Sequence, residues 1–529
     1  MKADLFHSEA AEPAHQTSQI ALWISSAIFL VCYIGLTLKA ALVTPLWMDE
    51  VLSVWASRFQ SVTQIYAALT HGAQSAPPAY SVMLHYYSRI AGEGTLALRL
   101  PSIASVLLTG LVSFVLVRRH LGASSAIFAS CLILETLSPY GLQVRPYAIT
   151  TLCFALALLL WDDLNLRASL WRVVFIGLLL AIAVQFHFYC VLFVPCFGLI
   201  ELLHTYRTRK VRYGLWIALL LAGTSIFIWL PLIHATSHFV AEDFGGSHAY
   251  GPYPTISYLI ATYSYLFQGL ADLHTFGSLG MNGCIVLTAM GLMGLGSIYD
   301  KLASRGQRSN SDVAVGIANR RMDFWEFVLG SILLPLIIFV FTLAVTKSFN
   351  VRYVIAGAIG ASAILAEVLG GFPQFRRVVP VTLLIASLLM IRFGVPTIRT
   401  FDHTGVYKFL PGPYPIVVAD GSQFFQLEES APAQIRSRLV YLIVPSSVPV
   451  GDITNEHVIM RWKKINPKLP VENTAPFLAA HKKFYVLDER TSDDTPAVYL
   501  ASEHLIDLWA QVNGGLIYRS HPSSSSETW

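Results

Sequence analysis

Residues 20–43 read IALWISSAIFLVCYIGLTLKAALV, and the chain continues Thr44-Pro45-Leu46-Trp47-Met48-Asp49-Glu50. An apolar run of this length, broken only by Lys39 near its end, spans a bilayer, which takes about 20 residues. It is too long for a signal-peptide core and has no clear small-x-small cleavage site, so it reads as a retained span. The residues before it, 1–19, form a polar tail. Asp49 and Glu50 fall about six residues past the span, at a membrane edge. A charge inside a spanning segment costs roughly 2.5–3.5 kcal/mol on insertion scales, so charges kept close to one tend to be functional.

Working outward, the whole chain repeats this character. Of its 529 residues 54% are hydrophobic and 13% charged, against about 25% charged in soluble domains. This is the composition of a polytopic membrane protein. The net charge of +4 is small, and no block of basic residues mixed with aromatics points to nucleic acid. Six cysteines, Cys32, Cys131, Cys153, Cys190, Cys196 and Cys284, all fall in apolar segments. That placement gives the polar stretches neither a disulfide framework nor zinc-ligand spacing.

Eleven runs read as spans: 20–43, 99–117, 123–140, 146–162, 172–186, 188–203, 214–233, 276–298, 324–345, 353–370 and 378–395. Basic residues cluster in alternate connections: Arg118-Arg119, Arg167 and Arg172, Arg207 to Arg212, Lys301 to Arg321, and Arg376-Arg377. The positive-inside rule assigns these, with the N-terminus, to the cytoplasm of a plasma (bacterial inner) membrane. Segments 44–98, 234–275 and 396–529 then lie outside. The stretch 173–203 fits one long tilted helix or a hairpin of two short ones. The charge rule favours the hairpin, whose turn carries His187-Phe188-Tyr189.

Beyond Pro396 polar residues and prolines increase. Short β-rich runs (415–419, 439–444, 484–487) alternate with helix-like patches (423–429, 503–512), which predicts a small extracytoplasmic α/β domain over 396–529. The tail Ser523 to Ser526 reads as disordered. The predicted architecture is therefore an all-α membrane domain, 20–395, with large loops at 44–98 and 234–275, followed by that domain.

The first loop continues Val51-Leu52-Ser53-Val54-Trp55-Ala56, apolar at helical spacing, with Trp47 and Trp55 suited to an interfacial belt. Asp49 and Glu50 fit either chemistry or simple capping of that helix, since carboxylates favour helix N-termini. Ala76-Pro77-Pro78-Ala79-Tyr80, leading to His85-Tyr86-Tyr87, starts another helix at its prolines. Arg99-Leu100-Pro101-Ser102 opens the second span, Arg145-Pro146-Tyr147 occupies the next loop on the same side, and Lys347 and Arg352-Tyr353 precede the tenth span.

This order of motifs resembles the GT-C glycosyltransferases that use polyprenyl-phosphate sugars, in particular bacterial relatives of protein O-mannosyltransferases and of the lipid A aminoarabinose transferase. The resemblance covers about residues 20–395. It rests on Asp49-Glu50, Pro77-Pro78-Ala79-Tyr80, Arg99-Leu100-Pro101-Ser102, Arg145-Pro146-Tyr147-Ala148, His187-Phe188-Tyr189 and Arg352-Tyr353. It implies a GT-C fold, a polyprenyl-phosphate sugar donor, and a lipid, glycan or protein acceptor outside the cytoplasm. Many relatives carry a glutamate before the arginine of the second loop, as Gln-Glu-x-Arg-x-Tyr, whereas this chain has Gln143-Val144-Arg145-Pro146-Tyr147. A divalent metal ion is thus the one cofactor the pattern leaves open, and its ligands are unassigned.

The residue types suit that chemistry in their own right. A lipid phosphate leaves as a stable anion without a general acid, so one carboxylate to deprotonate the acceptor hydroxyl is enough, together with cations for the departing phosphate. Asp49 is the expected base, with Glu50 as alternate. Arg145 and Arg352 are the expected phosphate ligands because guanidinium matches phosphate bidentately, with Lys347 as an added point charge. All three also fit snorkelling at span ends. Tyr80, His85, Tyr147, His187 and Tyr353 complete the substrate-binding candidates. The fourth loop, with Glu242-Asp243, His248 and Tyr250-Gly251-Pro252-Tyr253-Pro254, reads as a flap. The rival class, a lipid or sugar transporter or flippase, usually places polar residues at the midplane of broken helices. Here the in-span charges Lys39, Glu135, Glu201 and Glu367 all stand near span ends.

Overall fold

A computed structural model describes residues 6–243, 253–269, 280–303, 317–396, 405–445, 454–489, 495–512 and 515–521. The chain divides into two compact units. One comprises Met1–Leu42, Arg99–Ile228 and Tyr250–Ile398; the other comprises Val43–Leu98, Trp229–Ala249 and Arg399–Trp529.

The first unit is a helical bundle. Among the described residues of the chain, six helical segments are long and apolar enough to cross a membrane: Gln19–Val43, Thr95–Leu121, Tyr147–Leu166, Phe188–Thr208, Tyr213–Ala241 and Asp323–Thr346. Three shorter apolar helices, Leu170–Phe186, Met281–Ser297 and Ile355–Gly370, accompany them. Helices Ala123–Gly141 and Phe375–Phe393 bring the helical counterparts of the expected spans to eleven. The first of these pairs is buried along nearly its whole length, which places it at the bundle centre. Between 173 and 203 the chain forms two helical segments, because His187 is extended at φ −155° and ψ 126° and ends the helix Leu170–Phe186.

Polar side chains bond across the helices, which in an apolar environment satisfies donors that water does not reach. Asn282 Nδ2 donates to the Leu132 carbonyl at 2.9 Å and to Thr136 Oγ1 at 2.7 Å. Tyr265 donates to the Thr136 carbonyl and Tyr33 to that of Leu134, at 2.8 and 3.0 Å. Carboxylates at helix ends are matched by the basic loops. Arg119 contacts Asp162 and Asp163, Arg207 contacts Asp323 and Glu326, and Arg212 contacts the fully buried Glu201. Glu201, an apparent charge within a span, also accepts from the Trp161 indole at 3.2 Å.

The second unit contains a six-stranded sheet: β1 Ile416–Val418, β2 Leu439–Ile443, β3 Val471–Asn473, β4 Tyr485–Glu489, β5 Ile506–Val512 and β6 Gly515–Ser520. The strand order is β3-β2-β1-β4-β6-β5. The first four are parallel and β6 pairs antiparallel with both β4 and β5. Val417, Val440, Leu442, Val486, Phe477 and Phe484 form its core. The patch 503–512, expected to be helical, is instead strand β5 from Ile506 onward. Asn513-Gly514, the dipeptide most favourable to a tight hairpin, follows it in sequence, and pairing with β6 overrides the local helical pattern.

The segment 44–98 contributes helices Met48–Ser57, Val62–Thr70 and Pro78–Ala91 to this same unit. Trp55, expected at a lipid interface, donates to Glu429 at 2.8 Å and meets Phe425 and Trp462 edge-on, with centroids at 5.4 and 5.3 Å. Arg58, an exposed residue, binds both carboxylate oxygens of Glu429 at 2.7 Å and one of Glu93 at 3.0 Å. The indole of Trp462 donates to the Ala73 carbonyl at 3.1 Å.

Glu428, beside that contact, is pushed up to about 7 by burial, which Arg436 opposes and Glu429 reinforces. Its ordinary value is 4.5, so the folded state holds this proton more tightly than the unfolded chain does. The resulting stabilisation is complete below pH 4.5 and is lost as pH rises through about 7. Glu428→Gln should therefore raise the melting temperature more at pH 8 than at pH 5. An equal shift at both pH values would contradict this.

Candidate active site

The second-span motif does its first work in packing. Arg99 is 1% exposed and donates from Nη1 to the Ala41 carbonyl at 3.1 Å, placing a cation at the C-terminal end of the first span, where the helix dipole favours it. Ser102, fully buried, donates to the Arg145 carbonyl at 3.4 Å. Arg99-Leu100-Pro101-Ser102 thus ties the first span to the second and fixes the backbone of the 142–146 connection. Sequence reasoning recognised this motif without assigning its residues a role.

That connection carries Arg145 and ends at Pro146, the N-cap of helix Tyr147–Leu166. Gln143 donates to the Pro139 carbonyl at 2.8 Å, and Val144 is fully buried. Where relatives carry a glutamate, this chain therefore has an apolar side chain in the core. Arg145 is 7% exposed. Its guanidinium lies 5.6 Å from the centroid of the Tyr147 ring and donates to the Tyr147 hydroxyl at 3.3 Å.

Arg352 comes to the same ring from far along the chain. Its guanidinium is 5.8 Å from the Tyr147 centroid and 5.6 Å from that of Tyr353. A short helical turn, Val351–Tyr353, presents it, and Asn350 caps that turn by accepting from the Arg352 N–H at 3.1 Å. His187, at the hairpin turn, joins Tyr147 to Tyr353 with ring centroids at 5.5 and 5.2 Å. Tyr189 stacks on Tyr353 at 4.2 Å, and its hydroxyl donates to Thr346 at 2.7 Å. Five residues expected at the site, Arg145, Tyr147, His187, Arg352 and Tyr353, therefore share one cluster in the helical unit. Tyr189 is an addition to it. It stood in the quoted His187-Phe188-Tyr189 motif, and its place beside a histidine at a helix break was the available signal.

Desolvation, then Arg145 and Arg352, lower His187 to about 3. The ring is neutral at physiological pH and adds no third charge beside the arginines. Two guanidinium groups flanking aromatic rings form an arrangement suited to an oxyanion, because charged donors meet it in a region partly withdrawn from water.

The remaining candidates occupy other surroundings. Lys347 sits in the left-handed region at φ 56°, is exposed, and directs its ammonium to the Leu343 carbonyl, so it closes the preceding helical turn. The second unit holds Asp49, Glu50, Tyr80 and His85. Asp49 and Glu50 stand in the first turn of helix Met48–Ser57. Glu50, 1% exposed, accepts from the Trp47 N–H at 3.0 Å as a cap, while Asp49 is partly exposed. Tyr80 and His85 are 2% and 3% exposed, and His85 Nδ1 donates to the Ser57 carbonyl at 2.8 Å. The His85 bond braces helix Pro78–Ala91 against helix Met48–Ser57. Among the described residues no group of three His, Cys, Asp or Glu side chains converges on a metal position. The side chains of Glu242, Asp243, His248, Tyr250, Gly251 and Pro252 lie outside the described residues.

Comparison with known proteins follows this geometry. A family model described as dolichyl-phosphate-mannose-protein mannosyltransferase matches residues 75–231. That stretch holds Tyr80, His85, Arg99, Arg145, Tyr147 and His187. A search of curated proteins finds no match. The chain is similar to the apo crystal structure of ArnT from Cupriavidus metallidurans, with 13% identity, 95% of this chain and 98% of that chain covered, and a TM-score of 0.51. The same protein bound to undecaprenyl phosphate aligns at 13% identity over the same shares, with a TM-score of 0.44. An oligosaccharyltransferase from Archaeoglobus fulgidus aligns at 13% identity over 88% of this chain and 67% of that one, with a TM-score of 0.42. At such identity the first likeness is one of fold. The chain has a GT-C fold, rich in apolar helices and with a small sheet toward the C-terminus.

The depressed titration of His187 is directly measurable. With labelled histidine, the ring signal that disappears in His187→Asn should not shift between pH 5 and pH 8. A midpoint near the ordinary 6.5 would show that neither burial nor the arginines govern the ring.

Proposed function

We propose that the chain is an inverting membrane glycosyltransferase that moves a sugar from a polyprenyl-phosphate donor to an acceptor hydroxyl outside the cytoplasm. The observation that carries this reading is the pair of guanidinium groups, Arg145 and Arg352, gathered with Tyr147, Tyr353 and a neutral His187 in a GT-C helical unit. The family match over residues 75–231 supports the reaction class.

In this reading the donor phosphate binds the two arginines, whose planar forks match its oxygens. The acceptor oxygen attacks the anomeric carbon as the bond from that carbon to the phosphate oxygen breaks. The phosphate leaves with the bonding pair as an anion held by Arg145 and Arg352, and the hydroxyl proton passes to Asp49. Product configuration is inverted, since a single displacement involves no enzyme-bound sugar. The role of Asp49 rests on its chemistry and motif position. Glu50, already committed as a helix cap, orients that turn. A negatively charged leaving group needs no proton, so a neutral His187 is consistent with the mechanism.

The test is transfer from a labelled panel of polyprenyl-phosphate hexoses and pentoses, with native membrane extract as acceptor. Asp49→Asn should lower turnover by about 10²–10⁴-fold while leaving donor affinity within a factor of a few, as expected on loss of a general base. Arg352→Lys should raise the donor KM about tenfold by removing a bidentate charged contact. Labelled lipid crossing a proteoliposome, with no transfer from any donor, would replace this reading with a flippase.

A further inference from the structure

Two turns of the helical unit carry positive charge that its carboxylates leave unmatched. One joins helix Tyr147–Leu166 to helix Leu170–Phe186, and the other joins helix Phe193–Thr208 to helix Tyr213–Thr224. They lie side by side, because Arg212 Nη1 donates to Asn165 Oδ1 at 2.8 Å. The helices that leave them pack closely. A Cβ on Gly177 would stand 3.0 Å from the Ala218 Cβ, and one on Gly214 3.8 Å from a Val173 methyl. Both turns stand at the opposite end of these helices from Tyr147 and His187, about 30 Å away for a 20-residue helix.

Carboxylates match several cations nearby: Arg119 meets Asp162 and Asp163, Arg207 meets Asp323 and Glu326, and Arg212 meets Glu201. Arg167, Arg209 and Lys210 are exposed, and among the described residues no carboxylate pairs with them. Arg209, the C-cap of helix Phe193–Thr208, takes φ 57° and sets its guanidinium 4.8 Å from the Tyr206 ring centroid. Tyr206 and Tyr213 are 70% and 73% exposed, and Trp171 is exposed beside them in the neighbouring turn. The exposed side chains that follow along the two helices are apolar: Val174, Leu178, Ile217 and Leu221.

We propose that these turns bind the headgroup of an anionic glycerophospholipid, at the end of the unit away from the arginine–tyrosine cluster. The surface has the polarity of such a lipid. Its phosphodiester meets Arg167, Arg209 and Lys210. The rings of Tyr206, Tyr213 and Trp171 lie at headgroup depth, where amphipathic aromatics are favoured. The acyl chains run along the apolar side chains. A zwitterionic headgroup brings its own cation and would leave the surplus charge unmet, and a free phosphate has no use for the apolar surface. Nothing here depends on the transferase reading.

The experiment offers the full chain, delipidated in detergent, equal amounts of phosphatidylglycerol and phosphatidylcholine, and counts retained lipid by native mass spectrometry. Phosphatidylglycerol should be retained at least about tenfold over phosphatidylcholine, and millimolar inorganic phosphate should not displace it. Arg209→Gly with Lys210→Gln should lower that retention about 25-fold, at about fivefold for each basic side chain beside an anionic lipid. Glycine suits the left-handed backbone at this position, so the variant should keep its melting temperature. Lys210→Gln alone, an exposed change, should still lower retention about fivefold. Arg352→Lys should leave it unchanged, which separates this surface from the cluster proposed to hold the donor phosphate. Equal retention of the two lipids, indifference to Lys210→Gln, displacement by inorganic phosphate, or loss in Arg352→Lys would overturn the proposal.

Discussion

Two positive charges share one phenol ring, and much of the helical unit around Tyr147 is arranged to keep them there. Like charges brought to one ring repel, the more so where the surroundings are withdrawn from water. Contacts with neutral groups help to hold Arg145 and Arg352 in place. The Tyr147 ring faces both, its hydroxyl accepts from Arg145, and Asn350 fixes the turn that presents Arg352. Burial keeps His187 neutral, so the third basic side chain does not worsen the repulsion. A cluster of this kind is most stable with an anion bound, which couples its structural requirement to its proposed chemistry.

Arg99 shows how far that arrangement depends on distant residues. It donates to the Ala41 carbonyl, and the neighbouring Ser102 bonds the Arg145 carbonyl, so the motif bears on where the Arg145 backbone runs. A charge-assisted bond made in the core is worth roughly 1.5–3 kcal/mol. The Arg-x-Pro-Ser motif therefore contributes to the site through geometry.

Much of this was legible in the sequence because membrane solvation imposes local rules. Long apolar runs must be helices, and Pro77-Pro78 and His187 mark where helices start and stop. Arg145 and Arg352 stood out because they fall at outer span ends, away from the basic clusters of the cytoplasmic connections. What local reading could not supply was long-range pairing. Nothing around Trp55 announces that its partners are Phe425, Glu429 and Trp462, so it resembled a residue of the lipid interface. Arg58 similarly gave no local hint of Glu429. Strand β5 was missed for the same reason, since its identity comes from β6. Lys347 was read by its charge, while its backbone conformation assigns it to a helix end.

The indole of Trp462 bonded to the carbonyl of Ala73 has a consequence for how the protein is made. The unit that contains Asp49 draws on 43–98, 229–249 and 399–529, segments separated by most of the membrane bundle. At ribosomal rates of about 5–20 residues per second, the helices of the first loop wait on the order of half a minute for their partners to be synthesised. Through that interval Trp55, Phe59 and the turn at Gly72 have no core to join. The carboxylate proposed to act on the acceptor therefore reaches its final setting only after nearly the whole polypeptide exists, so a nascent or prematurely ended chain would carry the spans and both arginines without a working base.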